Sequence, residues 1–320
     1  MNRATFLSGA GGALVLAAIP HAVSAAESAI TLTTTTGALS GTLTLPASGP
    51  PPYPVVLIIA GSGAVDRNGN AGTVLDSDTY KLLAAALAKG GIACVRYDKR
   101  GVGASSTASL ANVTFETFVD DAAAWVNLLA ADKRFSSVTI AGHSEGALIG
   151  TIVAERAPVH SLVLLEGIGR PAAVVLREQL KPKVLPSLYN QADAILSQLQ
   201  AGHTVANPPP QLLSLFAPRI QPFLISLFKY DPAAELAKVH VPVTIVQGTA
   251  DIQVSMTDAQ ALKHSLPSAK LVVVEGMNHM LKYYPDHSSV QAALKGYEDP
   301  SLPVEAKVVA AVQAAARERP

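Results

Sequence analysis

Residues 138–150 read VTIAGHSEGALIG, and no other stretch restricts the fold of this chain so tightly. Four residues of strand character (Val138, Thr139, Ile140, Ala141) run without a linker into Gly142-His143-Ser144-Glu145-Gly146, and from there into small and apolar residues suited to a helix. A strand that turns directly into a helix leaves the corner residue in strained backbone angles. Such a corner is tolerable only if the positions two before and two after it carry no side chain that would collide. Gly142 and Gly146 meet that condition. Ser144 would then stand clear of the sheet edge at a helix start, where backbone N–H groups and the helix dipole face a developing negative charge. A Gly-x-Ser-x-Gly pentapeptide also arises by chance as an ordinary loop, so its meaning depends on the rest of the chain.

The flanking sequence alternates between two periods. Residues 55–60 (VVLIIA), 92–96 (IACVR), 161–165 (SLVLL), 243–247 (VTIVQ) and 271–274 (LVVV) are short apolar runs without polar alternation. Runs of that kind suit strands covered on both faces, as in a parallel sheet with helices on either side. Helical patterns separate them, from about Asp78 to Lys89, stopped by Gly90-Gly91, and from Thr114 through an apolar face of Phe118, Ala122, Trp125, Val126 and Leu129. Residues 30–35 and 41–45 alternate around Gly37-Ala38 and read as an antiparallel hairpin at the sheet edge. Two further helices are expected near residues 288–297 and 304–317.

From Arg170 to His240 the alternation breaks. Helical patterns divided by Pro182, Pro186 and Pro208-Pro209-Pro210 carry many large apolar side chains, among them Leu212, Phe216, Phe223 and Phe228. The reading is a helical cap over residues 170–240, inserted between a first part of an α/β core (26–169) and a second part (241–320). Residues 1–25 read as an export signal: Arg3 gives the positive start, residues 9–19 a short apolar stretch, and Val23-Ser24-Ala25 the small residues of a cleavage site. The apolar stretch is short for a bilayer span. Export to the periplasm or the exterior is expected, with no stable membrane insertion after cleavage. No second arginine adjoins Arg3, which argues against the twin-arginine route.

Charge and cysteine usage remove several classes. Lys plus Arg equals Asp plus Glu at 24 each, so no excess of positive charge argues for a nucleic-acid partner. Cys94 is the single cysteine, which excludes an internal disulfide and a cysteine zinc cage. It lies in the apolar run 92–96 and reads as a buried structural thiol. The loop Gly61-Ser62-Gly63 after the first long apolar run lacks both the Gly-Lys-Ser/Thr ending and the Gly-x-Gly-x-x-Gly pattern of phosphate cradles. Its glycines instead let the backbone approach a substrate, with the Ser62 N–H directed at the site. Asp66 and Arg67 read as charges that pair with neighbours to hold that loop.

A serine hydroxyl is inert near neutral pH without a base, and the base needs a group to orient it. Asp251 follows the strand ending at Gln247, and His279 follows the strand ending at Val274. Parallel strands bring their C-terminal ends to one edge, so Ser144, Asp251 and His279 are expected to meet there, in a chain order proper to this architecture. Glu166 also follows a strand and is the rival acid. His143 adjoins the serine, and its side chain is expected to point away.

The motifs AGSGAVDRNGN, YDKRGVGAS, GHSEG, GTAD and GMNH, in that order, resemble those of the α/β-hydrolase superfamily, and in particular of bacterial carboxylesterases with a helical cap related to the dienelactone hydrolase group. The resemblance implies an α/β-hydrolase fold, with a mostly parallel central sheet flanked by helices. It further implies Ser144 as nucleophile, His279 as base, Asp251 as its partner, and an oxyanion hole from the N–H groups of Ser62 and Glu145. No cofactor or metal is implied. Dienelactone hydrolases carry a cysteine where Ser144 stands, so their substrate does not carry over, and the loop at Ser62 departs from the His-Gly form common in lipases. The expected activity is hydrolysis of small-molecule carboxylic esters of short to medium acyl chain through an acyl-enzyme on Ser144. Two other readings stay open: a serine peptidase or aminopeptidase using the same triad, and a non-catalytic binding protein of the same fold.

Overall fold

The computed structural model describes residues 25–72, 75–286 and 288–318. The export signal expected over residues 1–25 lies, except for Ala25, outside the described residues. Strands β1 (Ala26–Thr34) and β2 (Gly37–Leu45) form the expected antiparallel hairpin, each starting earlier than its alternating core. The first half continues with β3 (Tyr53–Ile59), α1 (Thr79–Lys89), β4 (Ala93–Tyr97), α2 (Phe115–Ala131), β5 (Phe135–His143), α3 (Glu145–Ala154) and β6 (Ser161–Leu165). Five helices follow: α4 (Ala172–Leu180), α5 (Pro186–Gln200), α6 (Leu213–Phe216), α7 (Gln221–Leu227) and α8 (Pro232–Leu236). The chain closes with β7 (Val243–Gly248), α9 (Met256–Ser265), β8 (Lys270–Val274), α10 (Val290–Lys295) and α11 (Ala306–Arg317).

The eight strands form one sheet in the order β1-β2-β4-β3-β5-β6-β7-β8. β2 meets β4 antiparallel, and every pairing from β4 to β8 is parallel. The hairpin therefore occupies one edge, and the C-terminal ends of β3 to β8 share one rim. Alternate residues of each central strand face opposite layers. Val55, Leu57 and Ile59 join Ile140, Leu162 and Leu164 against α2, α3 and α9. Val56 and Ile58 join Ala141, Val163 and Leu165 against α1 and α11. That double burial is why these strands lack polar alternation in sequence. Cys94 belongs to the second layer, where burial pushes its thiol up to about 12, so it is a packing residue.

The helices between β6 and β7 do not behave as one body. Ala192, Leu196, Leu199, Leu212, Phe216 and Leu224 close a separate apolar core. Leu236 of α8, Leu227 and Ala172 instead pack into the main core, so both ends of the insertion are rooted in the sheet layers.

Candidate active site

Ser144 sits between β5 and α3 at φ 54° and ψ −120°, a conformation that L residues rarely adopt. Its N–H is tied to the Leu165 carbonyl at 2.9 Å, and its own carbonyl accepts from the Ala147 N–H at 3.0 Å. A Cβ at position 142 would lie under 3.0 Å from the Gly146 carbonyl, and one at 146 would collide with the carbonyls of Ile59 and Ala60. The two glycines thus let α3 descend onto β3 and β5 and aim its N-terminus at the rim, as the sequence requires.

His279 and Asp251 meet at that rim. His279 Nδ1 donates to Asp251 Oδ2 at 2.6 Å, with side chains 3% and 1% exposed. In the neutral imidazole this bond leaves Nε2 as the nitrogen without a proton. The other oxygen of Asp251 accepts from the backbone N–H groups of Gln253 at 2.6 Å and Val254 at 3.0 Å. Burial opposes ionisation of Asp251, but His279 and these donors outweigh it and hold the carboxyl below its usual range. Ser144 and His279 line one small cleft of about 130 Å³ with Gly61, Ser62, Tyr80 and Met280. A second cavity, of about 330 Å³, opens on the other side of Ser144 and is walled by Val175, Leu176, Leu215, Ile220 and Leu224 of the inserted helices. Ser62, Ser144 and Gln253 line both. Another cleft, of about 360 Å³, involves Phe135 and His160 at the opposite edge of the sheet, where β5 and β6 begin, away from this rim.

Of the two sequence candidates for the acid, Asp251 takes the imidazole and Glu166 stands behind it. Glu166 is fully buried at φ 49°, accepting from the Gly248 N–H at 2.8 Å and from Gln247 Nε2. Burial first, then the neighbouring Asp251 charge, raise its pKa well above the usual range, so Glu166 keeps its proton beside Asp251. Ligand atoms of Glu166, Asp251 and His279 lie within 4.8 Å of one another. The cluster is knit by N–H donors to both carboxyl groups, the arrangement of an orienting network rather than of a cation cage.

One expectation is overturned. The His143 side chain does not point away; its ring lies 4.7 Å from that of His279, centroid to centroid, and lines the small cleft. Because β5 ends at the serine turn, residue 143 faces the layer under the His279 loop, where its Nε2 donates to the His279 carbonyl at 2.8 Å. Its Nδ1 accepts from the Tyr80 hydroxyl at 2.8 Å. Burial, reinforced by the adjacent His279, pulls its pKa down to about 3, so it is a neutral strut.

The remaining motifs hold the loop after β3. Asp98 accepts from the backbone N–H and guanidinium of Arg67 at 2.8 and 2.6 Å and from the Ala104 N–H at 2.8 Å, which joins the loops after β3 and β4. Asp66 Oδ1 caps the turn by accepting from the N–H groups of Asn68 and Asn70. Arg100 grips Asp121 of α2 with two bonds of 2.6 Å. Lys99 reaches the Gly61 carbonyl, and its ammonium lies 3.6 Å from Glu145 Oε1. Tyr80 and Lys99 are site residues that sequence reasoning passed over, and His143 is one that it misplaced. The available signals were the placement of Lys99 within YDKRGVGAS and of His143 within GHSEG; Tyr80 carried none.

Comparison with known proteins agrees with this architecture. Residues 71–284 match the family model described as "Serine aminopeptidase, S33". The chain is 28% identical over 250 residues to Esterase EstD of Thermotoga maritima, covering 77% of this chain and 59% of that protein. It is 27% identical over 154 residues to the putative carbamate hydrolase RutD of Pseudomonas syringae pv. syringae, covering 43% of this chain and 59% of that one. The chain thus spans 59% of the length of each of these relatives. Among solved structures, Est1E from Butyrivibrio proteoclasticus superposes with a TM-score of 0.57 at 18% identity, over 89% of this chain and 96% of that one. XC6422 from Xanthomonas campestris, described as an α/β serine hydrolase without lid, gives 0.52 at 17% over 92% and 97%. With a serine at a strained strand–helix corner, a mostly parallel sheet and a family model spanning residues 71–284, the chain belongs to the serine aminopeptidase S33 family of α/β hydrolases.

Proposed function

We propose that the protein is a serine esterase that cleaves small carboxylic esters, with Ser144 as nucleophile, His279 as base, Asp251 as its orienting acid, and the N–H groups of Ser62 and Glu145 as oxyanion donors. The observation that carries the proposal is the 2.6 Å His279–Asp251 bond in the wall of the cleft that Ser144 also lines. Ser144 Oγ attacks the ester carbonyl as His279 Nε2 takes its proton, and the carbonyl oxygen becomes an oxyanion facing two backbone donors. Collapse of that adduct breaks the ester C–O bond; the alcohol leaves with the proton held by His279, and an acyl group stays on Ser144. Water, deprotonated by His279, then attacks the acyl carbon and releases the acid. Glu145 is the first residue of α3, whose leading N–H groups have no partner inside the helix, which supports it as a donor.

The choice of ester over peptide rests on the lining of the larger cavity. An aminopeptidase must bind a substrate ammonium, and among the residues lining the two cavities beside Ser144 the one carboxylate is Glu145, already paired with Lys99. The about 330 Å³ apolar space supports acyl groups of short to medium length, and the relative named an esterase supports the same class. The test is a panel of p-nitrophenyl esters of rising acyl length beside aminoacyl p-nitroanilides. Turnover of esters with little turnover of anilides is expected; preference for the anilides would overturn the ester reading. Export directed by residues 1–25 belongs to the same proposal, and N-terminal sequencing of protein recovered outside the cytoplasm, expected to begin near Ala26, tests it.

A further inference from the structure

Lys99 is buried in the loop after β4, with its ammonium on the carbonyl oxygen of Gly61. Its other charged or aromatic neighbours are Glu145 Oε1 at 3.6 Å and the Phe118 ring, 5.5 Å from Nζ to the centroid. A buried ammonium persists only where it is paired and hydrogen-bonded, and here the main-chain oxygen is its nearest partner. Gly61 is held at its other end too. Its N–H donates to the Tyr80 hydroxyl at 3.2 Å, and that hydroxyl donates to His143 Nδ1. A trans peptide is planar, so a carbonyl and the N–H of the next residue point in opposite directions. With the Gly61 carbonyl turned onto Lys99, the Ser62 N–H is turned away from it, to the side where Ser62 and Ser144 line the same cavities. Among the described residues, the Ser62 N–H makes no backbone hydrogen bond.

We propose that Lys99 is the positioning residue of the oxyanion site: it fixes the Gly61–Ser62 peptide so that the Ser62 N–H meets the oxygen on which negative charge develops. The same ammonium neutralises Glu145, whose carboxylate would otherwise set a like charge beside that oxygen. Tyr80 secures the opposite end of Gly61. This inference rests on the reading of Ser144 as nucleophile and Ser62 N–H as donor. An oriented dipole that acts on the transition state and hardly on the bound ester changes kcat rather than KM.

The experiment compares the full-length protein with Lys99→Met and Tyr80→Phe, counting competent sites by fluorophosphonate titration run to completion. For Lys99→Met, kcat per titrated site is expected to fall about a hundredfold on p-nitrophenyl acetate, with KM nearly unchanged. A trifluoromethyl ketone, which forms a tetrahedral oxyanion on serine, should lose affinity in parallel, while the matching ether, which forms none, should not. Tyr80→Phe should show the same split with a smaller loss, about tenfold, and decides the matter if Lys99→Met does not fold. A merely structural lysine would lower the number of titrated sites and leave kcat per site intact, and that result overturns the proposal. Equal losses for ketone and ether overturn it as well. Failure of the underlying reading shows separately, as undiminished activity in Ser144→Ala.

Discussion

Replacing His143 with glutamine tests the neutral strut beneath the His279 imidazole. The amide can still donate to the His279 carbonyl and accept from the Tyr80 hydroxyl, the two bonds that His143 makes at 2.8 Å each, but it does not titrate. Burial and the adjacent His279 hold folded His143 at about 3, against 6.5 for an exposed imidazole. Between those values the unfolded chain binds a proton here that the folded chain does not, so stability present above pH 6.5 is lost as pH falls. From pH 8 to pH 5 that loss comes to about 2 kcal/mol, and it barely changes if the folded value lies a unit higher, because pH 5 remains above it. The assay is urea unfolding followed by fluorescence of Trp125, the one tryptophan, for wild type and His143→Gln at both pH values. Other groups titrate in both proteins and cancel in the comparison. The wild type should lose about 2 kcal/mol more than the variant on going to pH 5. An identical loss in both would show that His143 is not held neutral and would refute the strut.

Three further outcomes follow from the same geometry. Glu166→Gln should keep kcat within about tenfold of wild type at pH 7 to 8, because the buried acid it replaces is already neutral, whereas Glu166→Ala should lower unfolding stability by about 2–4 kcal/mol by stranding the Gly248 N–H; a Gln variant as inactive as Asp251→Asn would contradict this. Gly146→Ala should cost about 3 kcal/mol in chemical denaturation, since its methyl meets the carbonyls of Ile59 and Ala60, and a variant of wild-type stability and activity would show that α3 can lift off β3 freely. Leu215→Trp, which puts an indole into the larger cavity, should raise KM for p-nitrophenyl octanoate about tenfold and leave the acetate nearly unchanged; equal effects on both would place the acyl chain elsewhere.

The sheet was legible because double burial writes itself into the chain as unbroken apolar runs, and the runs that became β3, β4, β6 and β7 are buried throughout or nearly so; the run 271–274 became the edge strand β8, where Val273 is 40% exposed, so its apolar character does not come from cover on both faces. The elbow at Ser144 was legible for a steric reason, as two glycines at fixed spacing are needed where α3 crosses β3 and β5. Asp251 and His279 were legible as polar residues just past strand ends. The choice between Asp251 and Glu166 was not fixed by that rule, because both follow strands; it depends on which loop curls back over the imidazole, a matter of tertiary register. His143 was misread for a related reason. Alternation along β5 says which layer a side chain enters, but not that the His279 loop folds over that layer and offers it a carbonyl. Lys99 looked like one charge among several in a turn, and its partner is a main-chain oxygen 38 residues away, which leaves no mark in sequence. The insertion was legible as helical from its prolines and large apolar residues, yet the return of Leu236 to the main core depends on packing that its local pattern does not encode.

The measurement that bears most directly on the central claim is covalent labelling of the intact protein with a fluorophosphonate, followed by peptide mapping. One label per chain is expected, on the peptide that carries Ser144, with Ser144→Ala unlabelled and its p-nitrophenyl acetate turnover reduced by roughly a millionfold. A label on another serine, or a Ser144→Ala protein that turns over ester at the wild-type rate, would contradict the account.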